Sequence, residues 1–100
     1  MVRSILLKIQ NNLFMKTNDR FYITDTNGNY ISYGKMKDDR SFYIYDSGGK
    51  YIAFGNFSNE TNFSIFDING NYISYGNMTN SDNFNIFNTD GIFISLGRKE

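Results

Sequence analysis

Three short phrases, DTNGN at 25–29, DSGGK at 46–50 and DINGN at 67–71, put a carboxylate beside glycine and amide side chains in an order reminiscent of calcium loops. Calcium takes six or more oxygen ligands, and each phrase offers one carboxylate. Asp25, Asp46 and Asp67 are therefore better read as turn residues whose side chains cap the local backbone. GNYISYG, at 28–34 and again at 70–76, is glycine-flanked, but no helix pattern follows it to hold a phosphate. The chain has no histidine and no cysteine. It thus lacks the commonest general base and the thiolate nucleophile or metal ligand. No nucleophile beside a base, carboxylate pair or metal cluster can be named, so the expectation is a non-catalytic protein without cofactor or metal.

Two other groups of residues could bind a partner. Lys16, Arg20, Lys35, Lys37 and Arg40 fall between the periodic segments and are expected in loops at one end of the fold. They suit solvated loops or contact with an acidic surface. Net charge is zero, and no Lys or Arg occurs between 51 and 97, so nucleic acid is possible but not favoured. The second group is aromatic: Tyr30, Tyr45, Tyr51, Phe66, Tyr72, Phe87 and Phe93, with Tyr22 and Tyr43 beside them.

What positions these residues is a repeat. Phe21, Phe42, Phe63 and Phe84 are spaced by 21 without insertion, as are Ile23, Ile44, Ile65 and Ile86. Gly28, Gly49, Gly70 and Gly91 keep the same step, followed by Ile31, Ile52, Ile73 and Ile94, then by Gly34, Gly55, Gly76 and Gly97. A fixed period in this range marks stacked supersecondary units. The units run 21–41, 42–62, 63–83 and 84–97, within one domain of 1–100. Each reads as a β-hairpin, two runs rich in Ile and aromatics around a turn cluster.

N-G, G-G and D-G suit a two-residue type I′ turn. Asp or Asn three residues before the glycine suits a type I turn with a left-handed glycine bulge. The second choice pairs 23 with 31 and 21 with 33, which gathers Phe21, Ile23, Ile31 and Tyr33 on one face, with Phe54, Tyr75 and Leu96 at the later copies of 33. This predicts a core face of sixteen large side chains. The reverse face then carries the aromatic group together with Ser32, Ala53, Ser74 and Ser95. That face could be a second packing layer or an exposed platform for another protein.

Residues 1–20 form an atypical N-terminal unit, with SILLKIQ-NN-LFMKT suggesting an irregular strand or hairpin. Met15 lies one period before Met36, followed by Phe57 and Met78. The predicted fold is all-β: an antiparallel meander of four hairpins plus this unit, closed or nearly closed into a small barrel. A curled two-sheet sandwich or a hairpin solenoid is the alternative.

The aromatic–Asp–Gly order in FYIYDSGG resembles the roughly 20-residue hairpin repeats of choline-binding and clostridial-toxin modules, which implies a choline or glycan ligand. The phrase I-x-D-x-x-G-x-x-I is also similar to strands of tubby-like and LURP-one-related barrels, which implies a closed barrel. Neither resemblance brings matched ligand residues to this chain. The start, MVRSILLKIQ, lacks the long apolar segment of a signal peptide, and no run could span a bilayer as a helix, which predicts a cytoplasmic location. Codons rich in A and T dominate the composition. The expected role is a small protein-binding inhibitor or adaptor of phage or mobile-element type, with a glycan-binding module or a self-associating homodimer as rivals.

Overall fold

The computed structural model describes residues 14–100. Of the irregular strand or hairpin expected over 4–17, residues 4–13 lie outside the described residues, while 14–19 form bends and turns, not a second strand, leading into the first strand of the barrel. Eight strands follow: β1 (Arg20–Asp25), β2 (Tyr30–Met36), β3 (Ser41–Asp46), β4 (Tyr51–Phe57), β5 (Asn62–Asp67), β6 (Tyr72–Met78), β7 (Asn83–Asn88) and β8 (Phe93–Lys99). Each pairs antiparallel with the next, and β8 returns to β1, so the meander closes into a barrel. Closure removes the unpaired strand edges that an open meander would expose. The seam is secured twice more. Glu100 N donates to Arg20 O at 2.8 Å, and the Lys99 ammonium donates to the Phe14 carbonyl at 2.8 Å while lying 3.7 Å from the Asp19 carboxylate.

The turns follow the second of the two turn chemistries. Gly28 N donates to Asp25 O at 3.0 Å, Asp25 N donates to Asn29 O at 2.8 Å, and Gly28 sits at φ 86°. The other three hairpins copy this geometry at Gly49, Gly70 and Gly91.

The register beyond the turn differs from the sequence expectation. Thr24 pairs with Tyr30, but Ile23 pairs with Ser32 and Phe21 with Gly34. Ile31 is an extra residue, a β-bulge immediately after the turn. Ile52, Ile73 and Ile94 are its counterparts in the other hairpins. One inserted residue reverses the facing of everything after it. Ser32, Ala53, Ser74 and Ser95 therefore point inward and are buried, while the four bulge isoleucines are exposed. Tyr33, Phe54, Tyr75 and Leu96 leave the predicted core for the outer face.

Volume explains why the bulge wins. The interior of an eight-stranded barrel is only wide enough to be filled by side chains, and large residues there must alternate with small ones. Sixteen large side chains would overfill it. In the observed register the odd strands supply Phe and Ile, and the even strands supply Gly and Ser or Ala. The four phenylalanines form a closed ring of edge-to-face contacts: Phe21–Phe42 at 5.7 Å, Phe42–Phe63 at 5.6 Å, Phe63–Phe84 at 5.5 Å and Phe84–Phe21 at 5.4 Å, all within 8° of perpendicular. Met15, Met36, Phe57 and Met78, the other period-21 set, are buried in the same core, the last three at the ends of β2, β4 and β6 toward the inter-hairpin loops. The residual void among these side chains is about 10 Å³, no more than one water needs. The interior is solid and holds no ligand space.

Each phenylalanine ring occupies the place where a neighbouring residue's Cβ would be. A Cβ on Gly34 would overlap the Phe21 ring and stand 2.7 Å from the Tyr43 carbonyl oxygen. One on Gly55 would meet Phe42 and the Ser64 carbonyl in the same way. Backbone cannot yield as a flexible side chain can. Gly34→Ala should therefore cost on the order of 3 kcal/mol by overpacking. Gly28→Ala, with open space around the position but a left-handed backbone, should cost about 1–2 kcal/mol. Urea unfolding of the two variants checks the order. Equal losses, or a larger one at Gly28, would contradict the ring-over-glycine packing.

Candidate functional site

The outer face is where the chain departs most from an ordinary polar surface. Because the bulge throws two consecutive residues outward, each hairpin presents an aromatic and an isoleucine side by side: Tyr30–Ile31, Tyr51–Ile52, Tyr72–Ile73 and Phe93–Ile94. All eight are exposed, between 38% and 49%. A simple alternating strand would have buried one member of each pair.

Behind these pairs lies a half-buried aromatic layer. Tyr33 stacks on Tyr45 at 5.3 Å, Phe54 on Phe66 at 5.4 Å and Tyr75 on Phe87 at 5.4 Å, with ring planes within 22° of parallel. Each second ring leans on the exposed aromatic across its own hairpin: Tyr45 on Tyr51, Phe66 on Tyr72 and Phe87 on Phe93, at 5.9–6.1 Å. The seven aromatics singled out from the sequence thus share the outer surface in two roles. Tyr45, Phe66 and Phe87 are supporting rings, whereas Tyr30, Tyr51, Tyr72 and Phe93 stand at the solvent. Sequence reasoning missed the bulge isoleucines and the stacking partners. The available signal was the small residue and the glycine that follow Ile31 and each of its copies, which mark the inward positions of a narrow barrel.

The basic residues gather near the end opposite the hairpin turns, but not all in loops. Lys16, Lys37 and Arg40 are loop residues, whereas Arg20 and Lys35 are paired residues of β1 and β2. The strand positions follow from pairing that runs to the end of each hairpin. Lys37 lies 5.9 Å from the centre of the Tyr43 ring. Acids are interleaved with these bases and are used by the chain. Asp39 accepts from Thr17 N and Oγ1 at 2.9 and 3.0 Å, and Asp38 accepts from Arg40 N and Ser41 N at 2.9 and 2.8 Å. The basic group is thus broken up by carboxylates, unlike the continuous stripe that nucleic acid favours.

At the turn end, Asp25 Oδ1 accepts from Asn27 N and Asn29 N, both at 2.9 Å, and Oδ2 accepts from Asn29 Nδ2 at 3.1 Å. Asp67 repeats all three bonds, and Asp46 repeats the two from backbone amides. Both oxygens of Asp25 and Asp67 are already engaged by the chain, and Asn88 caps the fourth turn with an amide in their place. These are turn caps that need an acceptor oxygen, not a charge. Among the described residues no three His, Cys, Asp or Glu side chains converge as a metal-binding group. No helix among them is long and apolar enough to cross a membrane.

The bonds from Asn29 and Asn71 amides hold the Asp25 and Asp67 carboxyls below their ordinary value of 3.8, and the Arg40 amide does the same for Asp38. A carboxyl depressed in the folded state stabilises above its unfolded pKa and loses that contribution as pH falls through the folded value. Thermal stability should therefore hold above about pH 5 and decline as acid passes the ordinary carboxylate range. Asp25→Asn with Asp67→Asn keeps the two backbone bonds that Asn88 makes and gives up the bonds from Asn29 and Asn71 Nδ2, so the variant should fold at pH 7 with a slightly lower melting temperature and decline less steeply in acid. An unchanged acid profile, read by thermal melts from pH 7 to 2, would contradict this assignment.

No protein-family model and no curated protein matches the chain.

Proposed function

We propose that this is a non-catalytic module that binds another protein on its outer aromatic belt. The observation that carries the reading is the repeated outward pairing of an aromatic with an isoleucine at each hairpin, made by a bulge that exposes apolar area the core has no room for. Contiguous apolar surface of this kind marks binding faces. Tyrosine suits such a face, because it offers a large rigid contact with a polar tip and loses little conformational freedom. The aromatic layer beneath holds the exposed rings in place before a partner arrives, which lowers the entropic cost of association. The turn rim above the belt carries Asp25, Asp46, Asp67 and Asp90 against Lys50 alone, so a partner with a basic rim is favoured.

A solid core and a repeated adhesive surface fit an inhibitor or adaptor that works by occupying a surface of its target. The A- and T-rich coding fits a phage or other mobile element, acting inside the cell. The strands, six or seven residues long, are shorter than the nine to eleven that cross a bilayer, and the apolar interior is the reverse of a membrane barrel's.

Tyr51→Ser with Tyr72→Ser tests the reading. Both rings are exposed and touch only outer-face neighbours, so the double variant should lose no more than about 2 kcal/mol of stability. It should lose at least tenfold in affinity for a partner that is captured from the native host, purified and remeasured by calorimetry. Unchanged affinity would overturn the belt as the binding face. A belt that serves a second copy of the chain would appear instead as a dimer in light scattering, abolished by the same variant.

A further inference from the structure

The aromatic belt is complete in three repeats and broken in the fourth. At the seam where β8 meets β1, Leu96 pairs with Thr24, and Tyr30 follows across the first hairpin. These three occupy the places of Tyr33, Tyr45 and Tyr51, of Phe54, Phe66 and Tyr72, and of Tyr75, Phe87 and Phe93. The middle ring of each triad is thus replaced by the short side chain of Thr24. Tyr30 lacks that support and keeps the edge-on contact with Tyr22, at 6.2 Å and 78°, that Tyr51 also makes with Tyr43. The seam carries an open groove of about 620 Å³, lined among others by Tyr22, Thr24, Tyr30, Asn85, Leu96 and Arg98, against about 420 Å³ beside Tyr43, Tyr45 and Tyr51, where the ring is present.

We propose that this groove receives an aromatic side chain from an extended segment of the partner protein, with an acidic residue two positions away reaching Arg98. The ring takes the place left at Thr24, between Leu96 and Tyr30, and completes the fourth stack. The other three repeats fill the place of Thr24 with a ring, Tyr45, Phe66 or Phe87, so a ring is the occupant that the pattern calls for. The acid follows from charge and spacing. Arg98 lies two residues beyond Leu96 on the same outward side of β8, about 7 Å along the strand. Residues i and i+2 of an extended partner segment have the same separation and also point the same way. Among the described residues Arg98 makes no ion pair, since the salt bridge at this end joins Lys99 to Asp19. Glu100 lies beside the Tyr22 phenol and raises its pKa. The guanidinium is left for a carboxylate from outside.

This inference rests on the outer face being protein-binding, and its test is kept apart from Tyr51 and Tyr72. The purified full-length chain, labelled with ¹⁵N, is titrated with the capped peptide Gly-Phe-Gly-Asp-Gly. Amide shifts should concentrate at Tyr22, Thr24, Tyr30, Leu96 and Arg98. Replacing the peptide's Phe by Leu or its Asp by Asn should weaken binding by about fivefold each, as should Arg98→Gln. Thr24→Tyr should abolish binding while keeping the fold, because Tyr45 already stands at that position in the second repeat. Absence of shifts at millimolar peptide, undiminished binding to Thr24→Tyr, or shifts spread equally over the four repeats would overturn the site. So would seam resonances that broaden with protein concentration before peptide is added, which would mean a second copy fills the groove. None of these results bears on the loss of partner affinity through Tyr51 and Tyr72.

Discussion

Inside the barrel, each of four phenylalanine rings lies where a Cβ would stand if its neighbour on the adjacent strand were not glycine. That interlock sets everything else. A ring over a bare backbone brings the strands close, four such rings meet edge-to-face to close the centre, and the remaining inward positions must be small. Phe21 over Gly34 and its three copies thus fix the register, and the register decides which side chains are left outside. The exposed Tyr–Ile pairs are a consequence of a crowded interior as much as a feature of the surface.

The division between inside and outside also separates what the protein can and cannot do. A core this full leaves no chamber for a ligand, unlike larger eight-stranded barrels that enclose one. Of the turn aspartates, which have the composition of a cation loop, Asp25 and Asp67 have both oxygens occupied by backbone and asparagine amides, and Asp46 has one occupied by backbone amides. The outer surface, by contrast, carries aromatic rings backed by others. Within that aromatic surface the triads repeat three times and break at Thr24 and Leu96, which distinguishes the seam from the other three positions.

Much of the architecture could be read from the residues alone. The 21-residue period gave four hairpins, the Asp-to-Gly spacing gave the type I turn with its left-handed glycine, and the phase of Met15 and Met36 tied both to the repeat that builds the core. The register could not be read by extending the turn's pairing outward, because the bulge at Ile31 obeys the volume of the closed barrel and not the local turn. That constraint exists only once eight strands share one interior. The same error exchanged Tyr33 for Ser32 and hid the exposed isoleucines. The outer aromatics were legible because Tyr22, Tyr43 and Tyr45 precede the bulge, or because the turn itself orients Tyr30 and its copies. The notch at the seam was not, since it depends on β8 meeting β1 and no local phrase joins Leu96 to Thr24.

The most direct measurement of this arrangement is proton NMR of the glycines. With the rings seated over the backbone, the α-protons of Gly34, Gly55, Gly76 and Gly97 lie against phenylalanine faces or edges. They should show strong ring-current displacement and cross-relaxation to the aromatic protons of Phe21, Phe42, Phe63 and Phe84. Undisplaced glycine α-protons, together with cross-relaxation from the Ile31 methyls to the Phe21 ring, would show that the isoleucines fill the core and that Phe21 pairs with Tyr33 instead of Gly34.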